Sequence, residues 1–113
     1  MHEMALAEGI LQICESHAAR AGATRVTAIW IEIGELSHVD PDALAFAFTA
    51  VAQGTLADDA RLEIDRTPGR AWCHTCGKTV ALRSLIDRCP DCGGFQLQVS
   101  GGEEMRVKEM EVA

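Results

Sequence analysis

Four of the five cysteines stand in two Cys-x-x-Cys-Gly segments, Cys73-His74-Thr75-Cys76-Gly77 and Cys89-Pro90-Asp91-Cys92-Gly93. Two residues between paired cysteines let one tight turn present both sulfurs to a single ion. Glycine after the second cysteine lets the backbone turn back and bring N–H groups toward the sulfurs. Two such knuckles supply four thiolates in a tetrahedron, which suits Zn²⁺. Twelve residues separate Cys76 from Cys89, slightly fewer than the usual ~15–20, and a hairpin spans that distance easily. With sulfur at all four positions no place is left for a reactive water, so the expected site is structural. His74 reads as an exposed knuckle residue rather than a replacement ligand.

A second constellation depends on position. In Met1-His2-Glu3 a free α-amine, the backbone nitrogen of His2 and its imidazole can close two fused chelate rings on one metal. Ligation by an amide nitrogen needs an ion that displaces the amide proton and accepts a planar field. Ni²⁺ and Cu²⁺ do this, and square-planar nitrogen–oxygen surroundings point to the same two ions. Glu3, or a residue brought near by the fold, is the candidate fourth ligand. Alone this pattern is weak, because early histidines are common. The large His2 side chain is expected to hinder removal of Met1.

These groups need elements to hold them. From Glu3 to Arg20 the residues Met4, Leu6, Ala7, Ile10, Leu11, Ile13, Cys14 and Ala18 fall within one half of a helical wheel, with Gly22 as the stop. Arg25 to Gly34 reads as a strand with Ile29, Ile31 and Ile33 on one face. A second helix follows, with Asp40 as N-cap, Pro41 as first residue, an apolar stripe of Leu44, Ala47, Phe48 and Val51, and Gly54 as its end. Phe46 points away from that stripe. Arg61 to Arg66 is a second strand with Leu62 and Ile64 inward. Thr67-Pro68-Gly69 and Ser100-Gly101-Gly102 read as two breaks, and Glu103 to Val112 resumes a strand whose alternation slips near Glu109. The expected architecture is α+β: a small mixed three-stranded sheet with two helices, formed by residues 1–67 and 103–113, plus an inserted zinc-ribbon-like module at 68–102.

Composition narrows the function. Ten basic residues against seventeen acidic ones give a net charge of −7. Four thiolates on one Zn²⁺ would take it to about −9, a surface that repels phosphate backbones, so nucleic acid is not an expected partner. The opening MHEMALAEGI has no basic segment followed by an apolar run, and no stretch approaches the ~20 apolar residues of a membrane helix. A cytoplasmic protein is expected, where an odd number of cysteines fits metal ligation better than disulfides. Cys14 reads as a buried small hydrophobe and His17 as a satisfied helix residue. Lys78, Arg83 and Arg88 make the cysteine module locally basic, as charge balance for the thiolates or as a patch for an acidic partner. No nucleophile elbow, phosphate loop or catalytic carboxylate pair is visible, so no catalytic residue and no enzymatic activity is expected.

The opening Met1-His2-Glu3-Met4, the segment Ile31-Glu32-Ile33-Gly34-Glu35-Leu36-Ser37, Phe46-Ala47-Phe48, the paired knuckles and the closing Met105-Arg106-Val107-Lys108-Glu109-Met110-Glu111-Val112 together resemble the HypA/HybF family of hydrogenase nickel-incorporation proteins. The resemblance covers nearly the whole chain. It implies a metallochaperone that carries Ni(II) to the immature large subunit of nickel–iron hydrogenase, in some organisms also serves urease maturation, and acts with a GTPase partner, HypB. It implies nickel at Met1, His2 and Glu3, and in some members at an aspartate in the region of Asp40. The N-cap role is the preferred reading of Asp40, and His38 is a further candidate for support. Zn(II) would be the structural metal of Cys73, Cys76, Cys89 and Cys92. Two rivals remain at this stage: a zinc-ribbon adaptor that binds a protein partner without a nickel role, and a rubredoxin-like iron carrier, since Cys-Pro-x-Cys-Gly knuckles serve there too.

Overall fold

The computed structural model describes residues 2–113. Its elements in chain order are α1 (His2–Ala21), β1 (Val26–Gly34), α2 (Pro41–Ala52), β2 (Arg61–Thr67), β3 (Gly69–Cys73), β4 (Lys78–Leu82), β5 (Leu97–Gly101) and β6 (Met105–Val112). They form two three-stranded sheets, ordered β2-β1-β6 and β4-β3-β5. The chain divides into two compact units. One comprises Met1–Ile31, Val39–Ile64 and Val107–Ala113; the other comprises Glu32–His38 and Asp65–Arg106.

The first sheet is mixed. β1 and β2 are joined through α2, the crossover that a parallel neighbour requires. Val26 N–H donates to Leu56 O and Glu35 N–H to Thr67 O, so the two chains advance together. β6 runs the other way: Arg25 and Ala113 exchange backbone bonds at one end, and Gly34 N–H donates to Glu104 O at the other. Along β6 the alternation slips where the sequence slips, with Lys108 and Glu109 both exposed.

In the first unit α1 packs against α2. Only Ala7, Ile10, Cys14 and Ala18 of α1 are buried, while Met4 and Ile13 remain 44% and 47% exposed. The apolar half of the wheel is thus wider than the face α1 buries: spacings of three and four select one narrow stripe, and its small residues permit a close approach. On α2 the buried residues are Leu44, Ala47, Phe48 and Ala52, with Val51 half-buried and Phe46 79% exposed. Asp40 is the N-cap, accepting from Asp42 and Ala43 N–H, and Pro41 opens the helix where no donor is needed. The Arg61 guanidinium lies over the Trp30 ring, 5.6 Å from its centroid.

The second unit has two small clusters: Leu36, Ala71 and Leu82, with Leu97 and Val99 against them, and Cys73, Val80 and Cys89, with Cys76 and Leu97. Both neighbours of the central β3 are antiparallel to it, and a register irregularity between Arg70 and Ala71 lets Gly101 still pair with Arg70. That pairing corrects the break expected at Ser100-Gly101-Gly102: β5 runs through Gly101, and the chain turns only at Gly102. There three chain passes meet. Gly102 has φ +87, and a Cβ on it would lie 2.6 Å from Gly69 Cα and 2.7 Å from Pro68 O; a Cβ on Gly34 would strike the Gly102 carbonyl. Glycine is required here by left-handed backbone and by contact at once.

Gly102→Ala is therefore expected to lower stability by at least ~2 kcal/mol, a fall in melting temperature of about 8 °C or more. Gly9→Ala, on α1 with nothing within 4 Å of the added methyl, should instead stabilise by ~0.5–1 kcal/mol. Calorimetric melting of the two variants checks this, and a Gly102→Ala protein as stable as the wild type would refute the crossing argument.

Candidate metal centres

The first knuckle is itself the turn of the β3–β4 hairpin. Cys73 ends β3 and pairs with Lys78, the first residue of β4. The hairpin thus closes around the first pair of cysteines, not across the twelve residues between the knuckles. The two knuckles repeat one geometry: Gly77 N–H donates to Cys73 O at 2.8 Å and Gly93 N–H to Cys89 O at 2.9 Å, with φ of +67 and +72 at the glycines. Cys76 N–H donates to Cys73 Sγ at 3.4 Å. Lys78 Nζ meets Asp91 Oδ2 at 2.6 Å, tying the first knuckle to the second.

Cys73 and Cys92 Sγ lie 3.7 Å apart, Cys76 and Cys89 Sγ 3.8 Å apart, and all four sulfurs lie within 4.8 Å of one another. A tetrahedron with metal–sulfur bonds of ~2.3 Å has edges of ~3.8 Å, whereas a disulfide needs ~2.05 Å. The five cysteines are free thiols. The sulfur cluster is compatible with a structural zinc site by residue type and by distance. Cys73 and Cys89 are buried, Cys76 is half-buried and Cys92 is exposed, so the cluster opens toward solvent on one side.

The thiols are held unequally. Backbone N–H groups of Cys92 and Asp91 draw the Cys89 thiol down to about 7, with burial opposing. The Cys92 sulfur, followed by burial and the remaining two sulfurs, pushes Cys76 up to about 12. Cys92 also lies above its ordinary value: the Gly94 N–H pulls it down, and the Cys89 sulfur and burial push it up. Cys76 and Cys92 therefore keep their protons near neutral pH, and a soft divalent cation must displace them to enter.

At the other candidate centre Met1 lies outside the described residues. His2 opens α1, where N–H groups have no acceptor within the helix. Its amide is thus not committed to the helix ladder. His2 Nε2 is 3.7 Å from Glu3 Oε2, and Glu3 Oε2 accepts from Asp40 N–H at 3.5 Å. The structure so brings His2, Glu3 and Asp40 into one neighbourhood, although the four cysteines alone among the described residues gather three or more ligand atoms within 4.8 Å. Asp40 Oδ1 serves the cap, accepting from Asp42 N–H at 2.9 Å and Ala43 N–H at 3.3 Å. The Glu3–Asp40 approach was missed from sequence, since it depends on how α1 meets the start of α2.

His38 and His17 are exposed, and His74 is exposed on its knuckle. Cys14 is buried on α1, and desolvation, helped by the charge of Glu15, pushes its thiol up to about 11, the state of an inert apolar residue. A cavity of about 380 Å³ in the second unit is lined by Thr67, Gly102 and the Glu32–Arg106 ion pair and holds none of the expected ligands.

Cys76→Ala is expected to lose stoichiometric zinc and to unfold the cysteine module, as read by elemental analysis and amide spectra. Retained zinc would sink the assignment. With Cys76 and Cys92 both protonated near pH 7 before metal entry, loading releases at least two protons. Zinc held against a chelator should then weaken by about two decades or more for each unit of pH lowered below 7. A titration that shows no such slope would mean that fewer than four thiolates bind.

The family described as hydrogenase/urease nickel incorporation, metallochaperone, HypA matches residues 1–112. A hydrogenase maturation factor HypA of Rhodopseudomonas palustris is 54% identical over 112 residues, 99% of both chains. Hydrogenase maturation factor HypA 2 of Bradyrhizobium diazoefficiens is 55% identical over the same share. Among solved structures, the solution structure of the nickel metallochaperone HypA from Helicobacter pylori aligns with a TM-score of 0.70 at 25% identity, covering 99% of this chain and 97% of that one. A second solution structure of a HypA protein aligns with a TM-score of 0.73, covering 100% and 97%. With its cysteine tetrahedron, its two helices and its two small sheets, this chain belongs to the HypA family of nickel-incorporation metallochaperones for hydrogenase maturation.

Proposed function

We propose that this chain binds Ni(II) at its own amino terminus and delivers it to the large subunit of a nickel–iron hydrogenase during maturation. The observation that carries the reading is the family match along the chain, in a family described by nickel incorporation. The α-amine of Met1, the amide nitrogen and imidazole of His2, and a carboxylate from Glu3 or Asp40 form the proposed nickel site. A deprotonated amide at the start of a helix is an anion at the positive end of the helix dipole, which favours it. The exposed His2 imidazole, 53% accessible, leaves the ion within reach of an acceptor.

Cys73, Cys76, Cys89 and Cys92 are the proposed ligands of a structural Zn(II), which supplies folding free energy to a module with only two small apolar clusters. The division of labour is residues 1–67 with 103–113 for nickel and 68–102 for zinc. A HypB-type GTPase, the hydrogenase large subunit and urease maturation proteins are the proposed partners, in the cytoplasm. No helix is long and apolar enough to cross a membrane among the described residues. The chain acts by holding and releasing an ion, without catalysis of its own.

Calorimetric titration of the zinc-loaded, untagged protein with Ni²⁺ should give one-to-one binding, weakened on the order of 100-fold or more in His2→Ala and similarly by a peptide extension of the amino terminus. Affinity should fall as pH falls, because amine and amide protons compete with the ion. Equal binding by the wild type and His2→Ala would overturn the terminal site.

A further inference from the structure

The second unit carries an exposed apolar tip that neither metal centre uses. Val80 and Leu82 on β4 are buried, but the next two apolar residues, Leu85 and Ile86, are 45% and 87% exposed, and Phe95 is 67% exposed. The tip is ordered. Asp87 Oδ2 accepts from Arg83 and Ser84 N–H, each at 3.1 Å, and Ser84 Oγ accepts from Ile86 N–H at 3.3 Å. The Arg88 guanidinium sits over the Phe95 ring, 4.6 Å from its centroid. Such pre-formed aromatic and arginine groups are the kind that dominate binding when a partner covers them.

The charge of the module differs from that of the rest of the chain. Between Pro68 and Gly102 there are four cations against two carboxylates, which four thiolates on one Zn²⁺ bring to about neutral, whereas the remainder holds six against fifteen. Both module carboxylates are already engaged, Asp91 with Lys78 and Asp87 with its own turn. Among the described residues neither Arg83 nor Arg88 has an ion-pair partner. Exposed apolar side chains flanked by unpaired guanidinium groups complement a surface with an apolar recess and carboxylates around it. Phosphate backbones fit less well, because they offer no apolar recess for Leu85, Ile86 and Phe95.

We propose that the Leu85–Ile86 tip, with Arg83, Arg88 and Phe95, docks on an acidic, apolar-pocketed face of the apoprotein that receives the nickel. This rests on the delivery reading above. The surface lies in the cysteine module, so zinc would hold the docking face in shape while the terminus carries the ion. Its arginines would speed and orient encounter, and Ile86 and Phe95 would slow dissociation.

The test uses interferometry with the nickel-free hydrogenase large subunit immobilised and the full, zinc-loaded, untagged chain in solution. Ile86→Ser and the double variant Arg83→Glu/Arg88→Glu should each bind about tenfold or more weakly. Their zinc content and calorimetric nickel binding should match the wild type. Wild-type association should fall with salt, and that of the double variant should not. Variants that bind like the wild type overturn the docking face and leave the delivery reading standing. A wild type that does not bind overturns both. Mixed phosphatidylcholine–phosphatidylglycerol vesicles and sedimentation velocity complete the set: tip-dependent vesicle binding, or tip-dependent self-association, without large-subunit binding assigns the tip to a membrane or to a second copy and overturns the proposal.

Discussion

Four sulfurs within 4.8 Å of one another are the constraint on which the cysteine module depends. As thiolates they repel, and as thiols they offer only weak hydrogen bonds. A soft divalent cation turns the same arrangement into four strong bonds. Little else is available: one cluster of this unit is Leu36, Ala71 and Leu82, and the other is made largely of the cysteines themselves. Backbone bonds at the knuckles and the Lys78–Asp91 pair orient the sulfurs, but both side chains of that pair are about half exposed. By itself a pair of that kind contributes little.

Two proposed metal sites on one small chain raise the question of how each ion would find its place. Affinity order does not sort them, since Ni²⁺ and Zn²⁺ are near neighbours in it; ligand type and geometry do. A closed tetrahedron of sulfur suits Zn²⁺, which has no geometric preference of its own. The proposed terminal site would ask for displacement of an amide proton and a planar field, which Zn²⁺ meets poorly. The tetrathiolate is pinned by two knuckles and a hairpin, whereas the proposed nickel donors cluster at a chain end with an exposed imidazole. On the proposed reading, retention and transfer fall to opposite ends of the ligand spectrum.

What was legible in the sequence is what short-range rules decide. The knuckles follow from Cys-x-x-Cys-Gly, and their glycines adopt the left-handed backbone that such turns need. Asp40 before Pro41 marked the start of α2, and the alternating isoleucines marked β1. The misses concern tertiary contact. Gly101 looked like part of a break, yet pairing with Arg70 through the irregularity in β3 keeps it in a strand. Met4 and Ile13 looked internal because a helical wheel shows periodicity and not the width of the facing surface. The need for glycine at 34, 69 and 102 comes from three chain passes far apart in sequence. The outward Leu85 and Ile86 depended on a turn closed by Asp87.

Asp40 has two readings that sequence alone sets against each other, an N-cap, which its bonds show, and a proposed support of nickel. Its cap bonds to Asp42 and Ala43 both use Oδ1. A carboxylate has two oxygens and about four lone-pair sites, so capping through one oxygen leaves acceptor capacity on the other. The same residue's backbone N–H donates to Glu3 Oε2, close to the His2 ring. Capping therefore fixes the carboxylate at the start of α2, and the Glu3 contact places that start beside the opening of α1. A negative side chain at each helix start also offsets the positive dipole ends that would otherwise repel a cation. The cap role therefore does not compete with the proposed support of nickel; capping would hold the Asp40 carboxylate in position for it.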